Sequence, residues 1–418
     1  MIRMKKYLIP ALYVAVAVAV FVFLGYKQPW LMSVREESQL WLCSSDYLWQ
    51  RVSEPGGMAR YLGEFIVQSY YQILLGAIVT ALLFLAMLWL WWATLLRMWQ
   101  YYRKVSYPIW LQLLAMVPTI FLGILLLDVN VQMTLPVAIT LVVLLSWLVP
   151  KHRVIAFPIA AGLLLVGWWL AGPVIVLLPL LAPWTLMSDN KINKSAVGTG
   201  ALRLVVLVLL LTGTIWLYAP CSQRPLRRLI VGIDYVNDNM KVIGTPEEQQ
   251  YEFLMRLHLW NRLLSVAQQQ SPKSRACQYA VMLAEWKLYG SREEELRQCY
   301  HDTWHSLSSC TASFLMSDLF LQLGWVNMSQ RAAHDALVSF SNYNSSGRAL
   351  QRIAEMSLIT GQYELVVKYA TILKQAPFYH AWAQEALQMA EHPELIEQNA
   401  NCLRLRQAYR EIPEGVFY

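Results

Sequence analysis

The stretch ALRLVVLVLLLTGTIWLYAPCSQRPLRRL, residues 201–229, divides the chain in two. Residues 201–218 carry a single charged side chain, Arg203, and come close to the roughly 20 apolar residues that a membrane-spanning helix needs. Beyond them no comparable apolar run occurs before Tyr418. Upstream the same texture recurs at residues 8–24, 73–96, 109–127, 135–149, 154–171 and 174–187. Seven spans are therefore expected. The sixth, 174–187, is short and contains Pro179 and Pro183, so a re-entrant path is its alternative. The predicted organisation is a transmembrane domain over 1–220 with an outer loop at 26–72, a linker helix over 221–245, and a helical-repeat domain over 246–418.

Composition agrees with this division. The hydrophobic fraction is 57%, above the globular norm of about 45–50%, and the excess lies in the first half. Residues 1–220 carry 15 Lys/Arg against 7 Asp/Glu, whereas residues 221–418 carry 19 against 20. The basic character is thus a property of the membrane flanks, which argues against nucleic acid as a partner. The bilayer is the expected one. Arg3, Lys5 and Lys6 ahead of residues 8–24 resemble a signal peptide's basic start. Phe21, Phe23, Tyr26 and Lys27 stand where small cleavage-site residues belong, so the stretch reads as an uncleaved anchor.

Basic residues mark the cytoplasmic side. They lie before the first stretch and after the second, fourth and sixth: Arg97, Arg103 and Lys104; Lys151 and Arg153; Lys191 and Lys194. This alternation places the N-terminus in the cytoplasm of a bacterial cell and the loop 26–72 and residues 246–418 in the periplasm. All six cysteines (Cys43, Cys221, Cys277, Cys299, Cys310 and Cys402) fall in segments exported by this topology. Both disulfides and buried free thiols are compatible with that.

In the second half, Gly290 and Gly324 stand 34 residues apart and Gly361 follows after 37. Each ends an apolar helix ahead of an amphipathic one. In the clearest unit Leu350, Ile353, Ala354 and Ser357 face inward, Gly361-Gln362-Tyr363 turns, and Val366, Ala370 and Leu373 face back. The pattern is that of a tetratricopeptide-like repeat, and the predicted fold class is all-α: a polytopic helix bundle followed by a TPR-like α-solenoid. Such arrays bind segments of other proteins on a concave face. Asn327, Gln330, Arg348 and Tyr379 are the candidate partner contacts, with repeat packing as their plainer role.

The run Leu323-Gly324, Asn327-Met328-Ser329-Gln330-Arg331, Arg348, Arg352-Ile353-Ala354-Glu355, Leu358-Ile359-Thr360-Gly361-Gln362-Tyr363-Glu364, Lys368-Tyr369 and Phe378-Tyr379 resembles a family of multi-pass membrane proteins of Bacteroidota. Pro55-Gly56-Gly57, Tyr61, Phe65 and Gln68 fit the same family. The resemblance implies a membrane part with a helical C-terminal region, and it implies no activity.

Catalytic chemistry is sparsely signalled. The spans hold almost no ionisable residue, which argues against an ion-coupled transporter. The loop 26–72 contains Glu36, Glu37, Asp46, Glu54 and Glu64. Glycosyltransferases that use lipid-linked sugars carry an acid in this place, so Glu37 or Asp46 is the alternative catalytic candidate. Solvation of these acids, or their pairing with Arg35, Arg51 and Arg60, is the plainer account. Cys299, His301, His305 and Cys310 have ligand types for zinc but not a recognised spacing, and neither metal nor cofactor is expected. The favoured function is a membrane-anchored scaffold for protein–protein interaction with a partner in the cell envelope.

Overall fold

The computed structural model describes residues 2–102, 108–186, 194–222, 226–231, 235–236, 243–299, 307–339 and 345–411. Among them the chain is helical, with no strand and one isolated antiparallel bridge, Val131 to Val236. Two compact units result: residues 1–28 with 45–237, and residues 29–44 with 238–418. Along the chain, the last passage from the first unit to the second falls at residues 237–238. The loop 26–72, however, is shared between the units, because its segment 29–44 folds with the C-terminal half.

Among the described residues of the first unit, three helices are long and apolar enough to cross a membrane: Pro10–Lys27, Ile73–Tyr101 and Gly200–Cys221. The expectation of seven such helices is corrected for physical reasons. Residues 109–127 form two helices, Ile109–Leu114 and Met116–Leu125, that break at Ala115. Pro118 lacks the N–H that would bond the Leu114 carbonyl, and its ring crowds that carbonyl. Residues 174–186 form no continuous helix. Pro173–Leu177 and Pro183–Thr185 are 3-10 turns flanking a single α turn, Leu178–Leu181. The helix Thr134–Leu148 has 15 residues, about 22 Å at 1.5 Å per residue, against an apolar bilayer core of about 30 Å.

Small residues let these elements approach. Ala138, Ala156, Ala160 and Ala171 are fully buried in one cluster with Val142, Leu164, Trp168, Ile175, Leu178 and Trp184. Arg97 donates to the Ser146 and Val149 carbonyls at 2.9 and 2.6 Å, capping the C-terminal end of Thr134–Leu148. Its guanidinium lies 4.9 Å from the Trp184 ring centroid. The helices Ser45–Val52 and Gly57–Gln68 are joined by a turn in which Gly56 takes φ 78°. The Gly56 N–H donates to the Trp169 carbonyl at 2.8 Å, and the Trp169 indole donates to the Val52 carbonyl at 2.8 Å.

In the second unit, consecutive helices pack on one another: Cys310–Gln322, Val326–Val338, Gly347–Thr360, Tyr363–Leu373 and His380–Glu391. The spaced glycines do what their spacing predicts. Gly290, Gly324 and Gly361 take φ of 69°, 79° and 82°, the left-handed conformation that ends a helix. Starts are signalled as well: Ser309 and Ser346 accept from the N–H groups of Ala312 and Ala349, and Thr245 forms a capping box with Glu248. The predicted inward residues Leu350, Ile353, Ala354, Ser357, Val366, Ala370 and Leu373 are all buried.

A Cβ at Gly57 would stand 1.8 Å from the Arg51 carbonyl oxygen, whereas one at Gly162 meets nothing within 4 Å. Gly57→Ala is accordingly expected to destabilise the purified protein by about 1–3 kcal/mol, and Gly162→Ala to leave it unchanged or slightly firmer. Thermal unfolding of both variants in detergent checks this.

Candidate functional site

The segment 29–44 supplies the most unusual chemistry of the second unit. Its helix, Trp30–Ser38, has nine residues, too few to persist alone in water. Yet every residue from Leu31 to Ser38 is buried, including Arg35, Glu36 and Glu37. The helix packs against Pro246–Arg256 and Gly347–Thr360. Leu40 joins the core formed by Leu350, Leu358, Val366, Leu373 and Tyr379, and the Cys43 N–H donates to the Gln375 carbonyl at 2.8 Å. Glu36 and Glu37 sit at the C-terminal end of their helix, the negative end of its dipole, so both need cationic or donor partners.

Helices far along the chain provide them. Glu37 accepts from Arg256 at 3.1 Å and from the Nη1 of Arg348. The same Nη1 donates to Glu252, so two carboxylates converge on one guanidinium nitrogen. The other nitrogen of Arg348 meets Asp318 at 2.5 Å, and Arg352 meets the second oxygen of Asp318 at 2.7 Å. Arg352 continues to Glu355 at 3.3 Å. Tyr379 donates its hydroxyl to Glu36 at 2.6 Å. The Arg348 guanidinium also lies over the Phe314 ring, 4.8 Å from its centroid. Glu252 is fully buried and Glu37 is 2% exposed. One oxygen each of Glu36 and Glu252, and one nitrogen of Arg352, are buried without a hydrogen-bond partner.

Burial dominates the electrostatics. It lifts the Glu252 carboxyl to about 7, with Glu37 and Asp318 adding to the rise and Arg348 and Arg256 opposing it. Glu36, Glu37 and Glu355 are raised too, again chiefly by burial. Burial also lifts Asp318, but Arg348, Arg352 and Arg256 outweigh it and hold that carboxyl below its ordinary range. The two directions have opposite consequences. The Glu252 contribution to stability is full below its ordinary value of 4.5 and is lost as pH rises through about 7. The Asp318 contribution is present above 3.8 and is lost as pH falls below it.

The residues singled out in the sequence are thereby distributed. Glu37 is in this cluster, whereas Asp46 is exposed in the first turn of Ser45–Val52 and belongs to the other unit. Arg348 and Tyr379 are buried and engage the chain's own Glu37 and Glu36. Gln330 donates to the Ser357 hydroxyl at 3.0 Å between neighbouring helices, and Asn327 is exposed. Cys299 and Cys310 are buried free thiols, with the Cys310 sulfur 3.7 Å from the Ala336 carbonyl. His301 and His305 lie outside the described residues. Among the described residues no group of three or more His, Cys, Asp or Glu is placed to hold a metal. Glu64 is buried between Arg51 and Arg60 at 3.0 and 2.9 Å, the pairing expected of the loop acids.

Sequence reasoning missed Glu36, Glu252, Arg256, Asp318 and Arg352. One signal was present: Asp318 is the single charge in the apolar helix CTASFLMSDLFLQ, and a lone buried carboxylate requires a cation. Ser33 donates its hydroxyl to Glu37 at 3.5 Å within the segment itself; what the arrangement can do is grip a segment of polypeptide.

Removing one member of a buried ion pair leaves its partners uncompensated. Arg348→Met is expected to cost about 3–5 kcal/mol. Arg292→Ala, which breaks exposed pairs with Glu285 and Glu295, is expected to cost less than about 1 kcal/mol. Denaturant titration followed by limited proteolysis of the second unit distinguishes the two.

Neither the curated proteins nor the solved structures contain a match to the chain. A family model does match, across residues 3–415. On that span, the chain belongs to a family of unknown function, DUF6057.

Proposed function

We propose that this protein is a multi-pass protein of the bacterial inner membrane and a non-enzymatic scaffold, whose tetratricopeptide-like array binds a protein partner of the cell envelope. The observation that carries this reading is the uptake of the segment 29–44. Arg256, Arg348 and Tyr379, from separate elements of the array, hold adjacent carboxylates of a short helix, as such an array holds a peptide ligand. The glycosyltransferase reading has less support. Of its two candidate acids, Glu37 is consumed by ion pairs and falls in a different compact unit from Asp46.

Membrane placement is supported by the exposed apolar side chains of the first unit. Leu82, Val117, Phe121, Ile124, Leu148, Leu180, Leu209, Trp216 and Leu217 are each more than half, or nearly two-thirds, exposed on helices that need another apolar medium to cover them. The second unit adds a parity argument. Residues 29–44 and 238–418 fold together, so both lie on one side of the bilayer, and the chain between them crosses an even number of times. The span Pro10–Lys27 follows the basic residues Arg3, Lys5 and Lys6. By the positive-inside rule the segment 29–44, and the array with it, is then periplasmic. This assignment does not depend on which of the shorter apolar helices cross.

Three measurements test the reading. A membrane-impermeant thiol reagent applied to intact cells should label single cysteines at Cys43 and at Glu411→Cys alike; labelling of only one would sink the parity argument. A photo-crosslinking residue at Asn327 should give a discrete protein adduct in cells, and Asp46→Asn should retain the function of the wild type. Loss of function in a folded Asp46→Asn protein would favour the enzyme instead.

A further inference from the structure

The charge count around the segment 29–44 does not balance. Five carboxyl groups (Glu36, Glu37, Glu252, Asp318 and Glu355) adjoin Arg256, Arg348 and Arg352, with Arg35 on the segment itself. Asp318 and Glu355 are served by Arg352 and by the second nitrogen of Arg348. Glu36 is served by the Tyr379 hydroxyl. Glu37 and Glu252 are left to converge on one nitrogen of Arg348, with Arg256 reaching Glu37 alone. The second oxygen of Glu252 has no partner. Two ionised carboxylates so close repel each other, and in a buried place the repulsion is poorly screened.

We propose that Glu37 and Glu252 share a single proton, and that this proton fastens the segment 29–44 into the array as a pH-responsive latch. With the proton present, one carboxylate and one carboxylic acid face Arg348, and the pair titrates as a unit rather than as two independent acids. When the proton leaves to solvent, two negative charges converge on one nitrogen of Arg348, with Arg256 countering Glu37 alone, and the cheapest relief is outward movement of Trp30–Ser38. The remaining groups facing the pair do not reverse the sign. Arg256 and Arg348 stay charged throughout, Asp318 is ionised throughout, and Glu36, itself raised by burial, can only add negative charge to the segment as pH rises. Cys310, the buried thiol facing the same cluster, is held protonated by burial and by Glu37 and Glu252. The device is internal to the second unit and stands whether or not the scaffold reading does.

Hydrogen exchange of the full chain in lipid nanodiscs, from about pH 5 to about pH 8.5, tests it after correction for intrinsic rates. Amide protection at residues 30–41 is expected to fall by up to about tenfold per pH unit above neutrality. Glu252→Gln, which is permanently neutral, is expected to keep its protection across the range, as are the amides of the helix Arg275–Tyr289 in the wild type. Constant protection at 30–41 in the wild type would overturn the proposal, as would an unchanged pH dependence in Glu252→Gln. Should that variant fail to fold, infrared spectroscopy of the wild type decides. A protonated buried carboxyl band present at mildly acidic pH and lost on alkalinisation supports the latch; its absence at mildly acidic pH refutes it.

Discussion

The second unit depends on the guanidinium of Arg348. It joins carboxylates from three elements: Glu37 from the segment 29–44, Glu252 from Pro246–Arg256, and Asp318 from Cys310–Gln322. Arginine suits the task because its planar fork presents several donors at fixed angles and stays charged when buried. Lysine would bring a single point charge to a place where three acceptors arrive from different directions. Burying these ions is costly, and an apolar set of similar volume would pack at least as well. What the ions provide is selectivity. A nine-residue helix with an apolar start and a charged end fits this place in one register, because a shift of one residue would move Glu36 and Glu37 away from Tyr379 and Arg348.

The first unit solves a different problem with different residues. Its core uses alanine and glycine where helices approach, and tryptophan and leucine between them. Two of its charges are satisfied locally: the partly buried Arg97 by helix-end carbonyls, and the buried Glu64 by two arginines and the Tyr47 hydroxyl. The unit is thus a packing structure, and the chemically charged decision of the molecule lies in the other half.

Much of this was legible in the residues. The glycines at 290, 324 and 361 mark helix ends because backbone geometry is local, and Leu350 through Leu373 show their inward face because helical periodicity is local too. Pro179 and Pro183 already offered a re-entrant path as the alternative for 174–187, whereas Pro118 stood inside a stretch read as one span; there the lost hydrogen bond broke the helix that apolarity argued for. The segment 29–44 was illegible for a deeper reason. WLMSVREES has no clean apolar face, so nothing within it announces burial. Its partners lie more than two hundred residues away, and no short-range pattern encodes them. Arg348 and Tyr379 were recognised as contact residues, but the ligand they hold here is the chain's own.

The joining of Glu37 to Arg348 spans 311 positions, and this has a consequence for biosynthesis. At about 5–20 residues per second the ribosome needs roughly 15–60 seconds between making the first and making the second. Throughout that interval the segment must remain soluble and unclaimed while the apolar helices after it are inserted and packed. The C-terminal array cannot complete its core until an element made near the beginning is returned to it. A chain truncated before Gly347 would therefore display a short charged helix with nowhere to bury it, a signal that quality-control proteases are equipped to read. The long reach of one ion pair thus makes an early segment a checkpoint on whether the last helices have been made.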